Sequence, residues 1–248
     1  AYRGRLAAAG LVGVELISTE WNATSSLRGG PHHASVFADI LFRFARQSIP
    51  LEMTATWEDF DLLSDPVDFS GYGLITQRGA RKPVYFVHEA FDKLARSTDR
   101  VALVQVGDLK LAVAYDGSSV QMVFWDFALE PNAAALSHLV DALGKDALAA
   151  QYSHPAQILS DIQNESPPVP AWLPAYRAAH LEMISAQAHL GASRNRRFEL
   201  TGLPALRVVE ALRINASITP AAADFRVSGS GFDVTVAAND VYYVKLSP

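Results

Sequence analysis

The spacing of hydrophobic and polar residues divides the chain into three kinds of region. Up to residue 97, short apolar runs alternate with stretches whose apolar residues recur at helical spacing. In residues 98–130 and 196–248, apolar residues instead recur at every second position, which is typical of antiparallel strands. Residues 131–195 are Ala-rich, helical in pattern and interrupted by prolines. We therefore predict an α/β region, an all-β region in two parts, and a helical insertion between those parts.

The first region is predicted to contain two strands, each followed by an amphipathic helix. Its elements are the end of a helix at 1–10, a strand at 14–19, a helix at 33–47, a strand at 51–57 and a helix at 84–95. Pro83 is well placed to open the last helix. The apolar faces of the two complete helices are Val36, Phe37, Ile40, Leu41 and Phe44 in the first, and Val84, Val87, Phe91 and Leu94 in the second. This order is that of a β/α repeat.

The all-β region is predicted to form one antiparallel β-sandwich. Tight turns at Gly107-Asp108 and Asp116-Gly117 separate its first strands. The predicted strands are 101–106, 109–115, 120–127, 198–200, 206–214, 225–227, 232–236 and 241–246. The fold class expected from the whole pattern is therefore α/β plus all-β: the C-terminal part of a (β/α)8 barrel, followed by a sandwich that carries a helical insertion.

Polar and aromatic residues stand at the ends of both predicted strands of the first region. Glu20, Trp21 and Asn22 follow the first strand, and Trp57, Glu58 and Asp59 follow the second. In a β/α barrel the carboxyl ends of the strands hold the reactive groups. A carboxylate there suits the nucleophile of a retaining glycosidase, and an indole ring suits a floor on which a sugar stacks.

Composition narrows the partners that can be expected. The formal net charge is −5 and no long basic run occurs, so nucleic acid and anionic membranes are poor candidates. The chain has no cysteine, which excludes disulfides and thiolate metal sites. The adjacent His32 and His33 project in different directions, and no carboxylate joins them at ligand spacing, so no metal or other cofactor is expected. A soluble protein is predicted, while the compartment stays open between cytoplasmic, periplasmic and secreted.

Several short motifs resemble glycoside hydrolase family 39, the β-xylosidase and α-L-iduronidase family. Thr19-Glu20-Trp21-Asn22 resembles the end of the family's seventh barrel strand, and Thr56-Trp57 resembles the end of the eighth. The other matching stretches are Gly30-Pro31-His32-His33-Ala34, Gly71-Tyr72-Gly73-Leu74-Ile75-Thr76, Gly79-Ala80-Arg81-Lys82-Pro83, Leu200-Thr201-Gly202-Leu203-Pro204 and the last strand, 241–246. The resemblance covers residues 1 to about 127 and 196–248.

The resemblance implies a role for each candidate residue. Glu20 corresponds to the nucleophile and Trp57 to the floor of the sugar site. Trp21, Asn22 and His32 would shape the same pocket, while Glu58 and Asp59 would bind sugar hydroxyls. The family's first six strands have no counterpart here, and with them is missing the acid/base Glu that ends the fourth strand. We therefore expect residues 1–97 to pack against further barrel polypeptide, because two strands of eight leave both edges unpaired.

Three alternatives remain open on the sequence alone. Asn164-Glu165 matches the dipeptide that marks the acid/base in this clan of enzymes, but it follows the nucleophile in the chain instead of preceding it. A second alternative is a non-catalytic carbohydrate-binding or accessory protein derived from such an enzyme. A third is that the insertion forms a homo-oligomer interface through an apolar face made of Trp172, Leu173, Tyr176, Leu181, Met183 and Ile184.

Overall fold

The protein comprises two compact units, which a computed structural model describes for most of the chain. The described residues are 8–10, 33–47, 74–75, 79–98, 100–203, 205–215 and 220–247. The first unit contains residues 1–127 and 195–248, and the second contains residues 128–194. Among the helices of the described residues, none combines the length and the apolar character that crossing a bilayer requires.

Two helices of the first unit lie close to the predicted positions. Helix α1 spans His33–Arg46 and helix α2 spans Pro83–Ser97. Pro83 occupies the first turn of α2, where its missing N–H would have no helical acceptor in any case. Helix α2 ends at Ser97, and the backbone of the next residue, Thr98, is extended. The short described stretch before α1 ends at Gly10, whose φ of 78° is the left-handed conformation common at helix ends.

The buried face of α1 differs from the predicted one. Ala34, Ala38 and Phe42 are almost fully buried, one helical turn apart, whereas Val36, Ile40 and Phe44 are only half-buried. Of the predicted stripe, Phe37 is the fully buried member. Small residues at 34 and 38 let the helix approach its neighbours closely, and apolar side chains on more than one face left the sequence pattern ambiguous. The prediction for α2 is confirmed more closely, since Val84, Val87 and Leu94 are buried and Phe91 packs against the same core.

The predicted strands of the all-β region are present, most of them with ends within two residues of prediction. Alternation of apolar and polar residues located them because side chains on successive strand residues point to opposite faces. The described strands are β1 (Val101–Val106), β2 (Leu109–Tyr115), β3 (Val120–Asp126), β4 (Ser193–Glu199), β5 (Arg207–Ile214), β6 (Ala221–Ala222), β7 (Phe225–Ser228), β8 (Gly231–Ala237) and β9 (Val241–Ser247).

These strands form two sheets. The larger has the order β1-β2-β3-β9-β5-β6, and each neighbouring pair in it is antiparallel. The smaller has the order β4-β8-β7. The C-terminal strand β9 lies in the middle of the larger sheet, between β3 and β5. Long-range pairing therefore ties the two separated parts of the all-β region together.

Each face of the larger sheet has its own core. On one face, Ala112, Val123, Trp125 and Tyr243 pack with residues of α1 and α2. On the other face the intervening residues of the same strands pack with residues of the smaller sheet. This second cluster includes Leu111, Met122, Phe124, Tyr242, Val244, Phe232 and Val234. Strands buried on both faces read as nearly continuous apolar runs, which is the pattern of Val120–Asp126.

Aromatic rings join the larger and smaller sheets. The Phe124 ring stacks on Tyr242 with centroids 5.2 Å apart, and it lies 4.9 Å from the ring of Phe198. Phe198 stacks in turn on Phe232 at 4.8 Å. Gly231, which opens β8, allows a close backbone approach, because a Cβ at this position would lie 2.6 Å from the carbonyl oxygen of Phe198.

The second unit is helical, as predicted for residues 131–195. Its elements are α3 (Pro131–Leu143), α4 (Lys145–Ala149), α5 (Pro155–Gln163), a 3₁₀ turn (Pro170–Trp172) and α6 (Leu173–Leu190). Leu139, Ile162 and Tyr176 form its core. The Tyr176 hydroxyl lies 2.7 Å from that of Tyr152, which also donates to the Asp161 carboxylate at 2.7 Å. Burial and this network raise the pKa of Tyr152.

Part of the apolar face proposed for an oligomer interface is occupied within this unit. Tyr176 is fully buried, and Trp172 and Met183 pack against the same core. Leu181 and Ile184 are the exposed members, at 68% and 55%. The six-residue face expected from the sequence is therefore reduced to these two side chains and the half-buried Leu173.

Candidate functional site

The residues predicted to form the sugar site lie outside the described part of the chain. They are Glu20, Trp21, Asn22, His32, Trp57, Glu58 and Asp59. What the structure describes is the framework that adjoins them in sequence: helix α1, which begins one residue after His32, and the segment that leads into α2. The contacts of this framework are described below.

The first turn of α1 is fastened to the all-β region. His33, Ala34 and Ser35 are buried, although they begin a helix that follows a polar, Gly-rich stretch. The Ser35 hydroxyl donates to the Asn239 side-chain oxygen at 2.9 Å. Asn239 lies in the turn between β8 and β9 with φ of 63°, a left-handed conformation that Asn tolerates better than most residues. Its N–H donates to the Asp126 carbonyl at 2.8 Å, which closes the link to β3.

The entry to α2 is held by backbone pairing. Ile75 and Arg81 form an antiparallel bridge, and the Lys82 N–H donates to the Leu74 carbonyl at 2.9 Å. The Lys82 side chain is fully buried. The Arg81 guanidinium lies over the Tyr85 ring, 4.7 Å from its centroid. The Lys82-Pro83 pair, which resembles the start of a helix in the sequence, therefore lies where the chain is closely packed as it enters α2.

A histidine on α2 packs against α1. The His88 ring meets the Phe37 ring edge-on, with centroids 4.3 Å apart. Its Nε2 has no hydrogen-bond partner among the described residues. Burial lowers the His88 pKa from 6.5 to about 4, because the charged imidazolium would lose its hydration there. His88 is therefore neutral at neutral pH and acts as a packing residue of this framework.

A charged cluster connects α1 to β2. Asp39 and Lys110 are both buried and form an ion pair through Asp39 Oδ1. The other Asp39 oxygen accepts from Arg43 Nε at 2.5 Å. The Lys110 ammonium also lies 4.9 Å from the Phe127 ring centroid. Sequence reasoning missed this cluster, because Asp39 and Lys110 stand 71 positions apart and each alone reads as a surface residue.

Glu165, the alternative acid/base, has the wrong environment for a general acid. It is well exposed, and its carboxylate accepts from Arg177 Nε at 3.0 Å and lies 3.3 Å from His180 Nδ1. These hydrogen bonds, His180 first and Arg177 second, lower its pKa. A general acid needs the opposite shift, since it must hold its proton near neutral pH. The positive φ of 49° at Glu165 fits its place just after the end of α5.

Neither unit, taken alone, brings three described His, Asp or Glu side chains close enough to share a metal ion. The cationic side chains at the C-terminal end of α1, Arg43 and Arg46, lie together with Lys110 beside a cavity in the described part of the first unit. The sequence analysis assigned no role to these cations.

Comparison with solved structures finds glycoside hydrolases. The chain is similar to a glucosidase from Croceicoccus marinus, with a TM-score of 0.58 at 14% identity over 99% of this chain and 48% of that one. It is also similar to the GH39 enzyme from Xanthomonas axonopodis pv. citri, with a TM-score of 0.55 at 15% identity over 99% of this chain and 47% of that one. A monomeric beta-xylosidase from Caulobacter crescentus CB15 gives 0.55 at 15% identity, over 99% and 48%.

These likenesses show a shared fold with glycoside hydrolases at low identity. The chain spans about half the length of the solved structures it matches. No protein-family model matches the sequence. No curated protein matches it either.

Proposed function

We propose that the protein is a retaining glycoside hydrolase, xylosidase-like and of the family-39 type, in which Glu20 is the nucleophile. The observation that carries this proposal is the fold likeness of 99% of the chain to a GH39 enzyme, a beta-xylosidase and a glucosidase. The Thr19-Glu20-Trp21-Asn22 motif supports it independently, since it places a carboxylate at the end of a predicted strand.

In the proposed architecture, residues 1–97 form the last β/α units of a barrel. Residues 98–130 and 196–248 form the sandwich that follows it, and residues 131–195 form an insertion. The aromatic contacts between the two described sheets support the sandwich. The anchoring of Ser35 to Asn239 supports a barrel portion fastened to that sandwich.

The proposed chemistry assigns one task to each candidate residue. The Glu20 carboxylate attacks the anomeric carbon and forms a glycosyl ester, while Trp57 stacks under the sugar ring. Trp21, Asn22 and His32 shape the pocket, and Glu58 and Asp59 bind hydroxyls of a carbohydrate substrate. The acid/base carboxyl belongs to barrel polypeptide beyond this chain, because the exposed and arginine-paired Glu165 does not suit the role.

The test is covalent trapping of the nucleophile. A 2,4-dinitrophenyl 2-deoxy-2-fluoro-β-xyloside needs no proton from a general acid, because dinitrophenolate leaves unaided as the Glu20 ester forms. We expect peptide mapping to show the mass of one fluoroxylosyl group on the peptide that contains Glu20. Glu20→Gln abolishes the labelling, and the matched control Glu165→Gln leaves it unchanged. Labelling of another carboxylate, or equal labelling of Glu20→Gln, refutes the assignment.

The second candidate is a carbohydrate-binding or accessory protein without turnover. The exposed, arginine-paired Glu165 favours it, since binding a sugar on Trp57 needs no general acid whereas turnover does. Saturable binding of xylo-oligosaccharides that Trp57→Ala weakens, with no labelling by the fluoroxyloside, is the result that selects this candidate over the enzyme.

A further inference from the structure

A cavity of about 420 Å³ opens at the C-terminal end of α1. The described residues that line it are not those predicted at the strand ends. Its volume lies at the lower end of the roughly 300–1,000 Å³ usual for small-molecule sites. Three structural elements supply its walls: the end of α1, strand β1 and strand β2. The lining residues are Phe42, Arg43, Arg46, Gln47, Gln105 and Lys110.

The charges in and beneath this cavity do not balance. Arg43, Arg46 and Lys110 are the cations that line it. Among the described residues, Asp39 is the carboxylate paired with two of them, through one oxygen to Lys110 and the other to Arg43. Counted over the described residues, two positive charges are therefore in excess at this place, although the chain as a whole carries a formal net charge of −5.

The lining side chains are held in place by contacts between separate elements. Arg46 Nη1 donates to the Gln105 side-chain oxygen at 3.1 Å, and it makes no other hydrogen bond to a described residue. Gln105 Nε2 donates in turn to the Gly107 carbonyl at 3.1 Å. Lys110 is fixed by Asp39 and by the Phe127 ring. The exposed Arg46 side chain is thus oriented by one hydrogen bond and keeps guanidinium N–H groups that donate to no described residue.

A purely structural role explains only part of this arrangement. Cations in the last turn of a helix offset the partial negative charge of its carbonyl end. Arg96 does the same in the last turn of α2, where Asp92 pairs with it at 2.8 Å. At the end of α1, by contrast, Arg43 shares the Asp39 carboxylate with a lysine that comes from β2, and Arg46 is bonded to the neutral Gln105 side chain.

We propose that this cavity binds the phosphate group of a small phosphorylated molecule. A phosphate monoester carries a charge of about −1.5 to −2 at neutral pH, which matches the two positive charges in excess. Its oxygens accept the paired N–H groups that guanidinium presents, and Gln47 and Gln105 offer amide hydrogen bonds. The cavity leaves room for a group attached to the phosphate, such as a sugar ring.

The experiment is isothermal titration calorimetry of the chain at constant ionic strength, so that general screening does not vary. The probes are inorganic phosphate, glucose 6-phosphate and glucose. We expect one-to-one saturable binding of glucose 6-phosphate at millimolar or lower concentration, weaker binding of inorganic phosphate and none of glucose. Equal affinity for the two phosphates would identify free phosphate as the ligand source.

Three single-residue variants test whether the phosphate binds at this cavity. Arg46→Gln should weaken the affinity for glucose 6-phosphate by about tenfold or more, since a hydrogen bond to a charged group is lost. Gln105→Ala, which removes the acceptor that positions Arg46, should weaken it by a smaller factor. The matched control Arg96→Gln, in the last turn of the other helix, should change it less than about twofold. Circular dichroism checks that each variant is folded.

The proposal is overturned by absence of saturable phosphate binding. It is also overturned if Arg46→Gln and Arg96→Gln weaken binding equally, because that result indicates only a general charge effect.

Discussion

The two faces of the larger sheet are packed by different chemistry. The face toward the smaller sheet is apolar and aromatic, with Phe124 stacked on Tyr242 and surrounded by Phe198 and Phe232. The face toward α1 and α2 also contains buried polar groups: Lys110 pairs with Asp39, and Tyr243 donates to the Gln121 side-chain oxygen at 2.8 Å. The same strands supply both faces, through alternate residues.

The two faces therefore contribute differently: the aromatic face mainly adds stability, and the polar face mainly specifies how the parts fit together. Rings on the first face stabilise mainly by burying apolar area, which does not depend on one particular pair of partners. The Lys110–Asp39 pair on the second face holds only when both partners are in place, so it selects one position of α1 on the sheet. That second face also bears the two helices that follow the predicted catalytic strand ends.

The largest expected effect is on the aromatic face. Phe124→Ala should lower the free energy of unfolding by about 3–5 kcal/mol, since it removes a fully buried ring that contacts four others. Denaturant unfolding followed by tryptophan fluorescence measures the change. Val106→Ala, at a position 66% exposed, is the control and should cost little. A loss below about 1 kcal/mol for Phe124→Ala would show that the cavity collapses freely.

A loss of nearly the same size is expected on the polar face. Lys110→Met should cost about 3 kcal/mol, because Asp39 keeps only the exposed Arg43 as a partner for its buried charge. The double variant Asp39→Asn/Lys110→Met should recover most of this loss, since it leaves no unpaired buried charge. A double-mutant cycle in urea measures the coupling. Purely additive losses would mean that the pair contributes no specific interaction.

The smallest of these effects is a pH dependence from His88. Its pKa is 6.5 in an unfolded chain and about 4 in the folded protein, so between these values the unfolded state binds the proton and the folded state does not. Stability therefore falls as the pH drops from 6.5 to 4, by about 2–3 kcal/mol, and His88 contributes no pH dependence above that window.

The measurement is the free energy of unfolding at several pH values, compared with that of His88→Gln. The variant should lack this part of the dependence. Identical pH profiles for the two proteins would show that His88 keeps an ordinary pKa in the folded state.

Local pattern predicted the elements well, and it predicted their partners poorly. The alternation of apolar residues located β2 and β9 nearly to the residue, because each strand shows its two faces in its own sequence. The same reasoning misjudged the buried face of α1, where Ala34 and Ala38 are buried and Ile40 is half-buried. Small residues carry a weak hydrophobic signal, yet they mark where a helix comes closest to its neighbours.

The two candidate sites differ in the same way, since one was predicted from local sequence and the other depends on long-range contacts. The proposed nucleophile Glu20 and the sugar floor Trp57 rest on sequence motifs and a shared fold, and they lie outside the described residues. The cationic cavity has no sequence motif at all. Arg46 and Gln105 meet across 59 positions, and Lys110 and Asp39 across 71.

What the sequence determined by itself is therefore helices α1 and α2, most strands of the all-β region, the helical character of residues 131–190 and a resemblance to a family of glycosidases. Hydrophobic periodicity is a local property, so it can be recognised in the sequence without any knowledge of the fold. Only the tertiary structure decided that β9 lies between β3 and β5, that Asp39 is buried against Lys110, and that basic residues converge at the end of α1. Those features depend on contacts between distant residues, which no single stretch of the chain encodes.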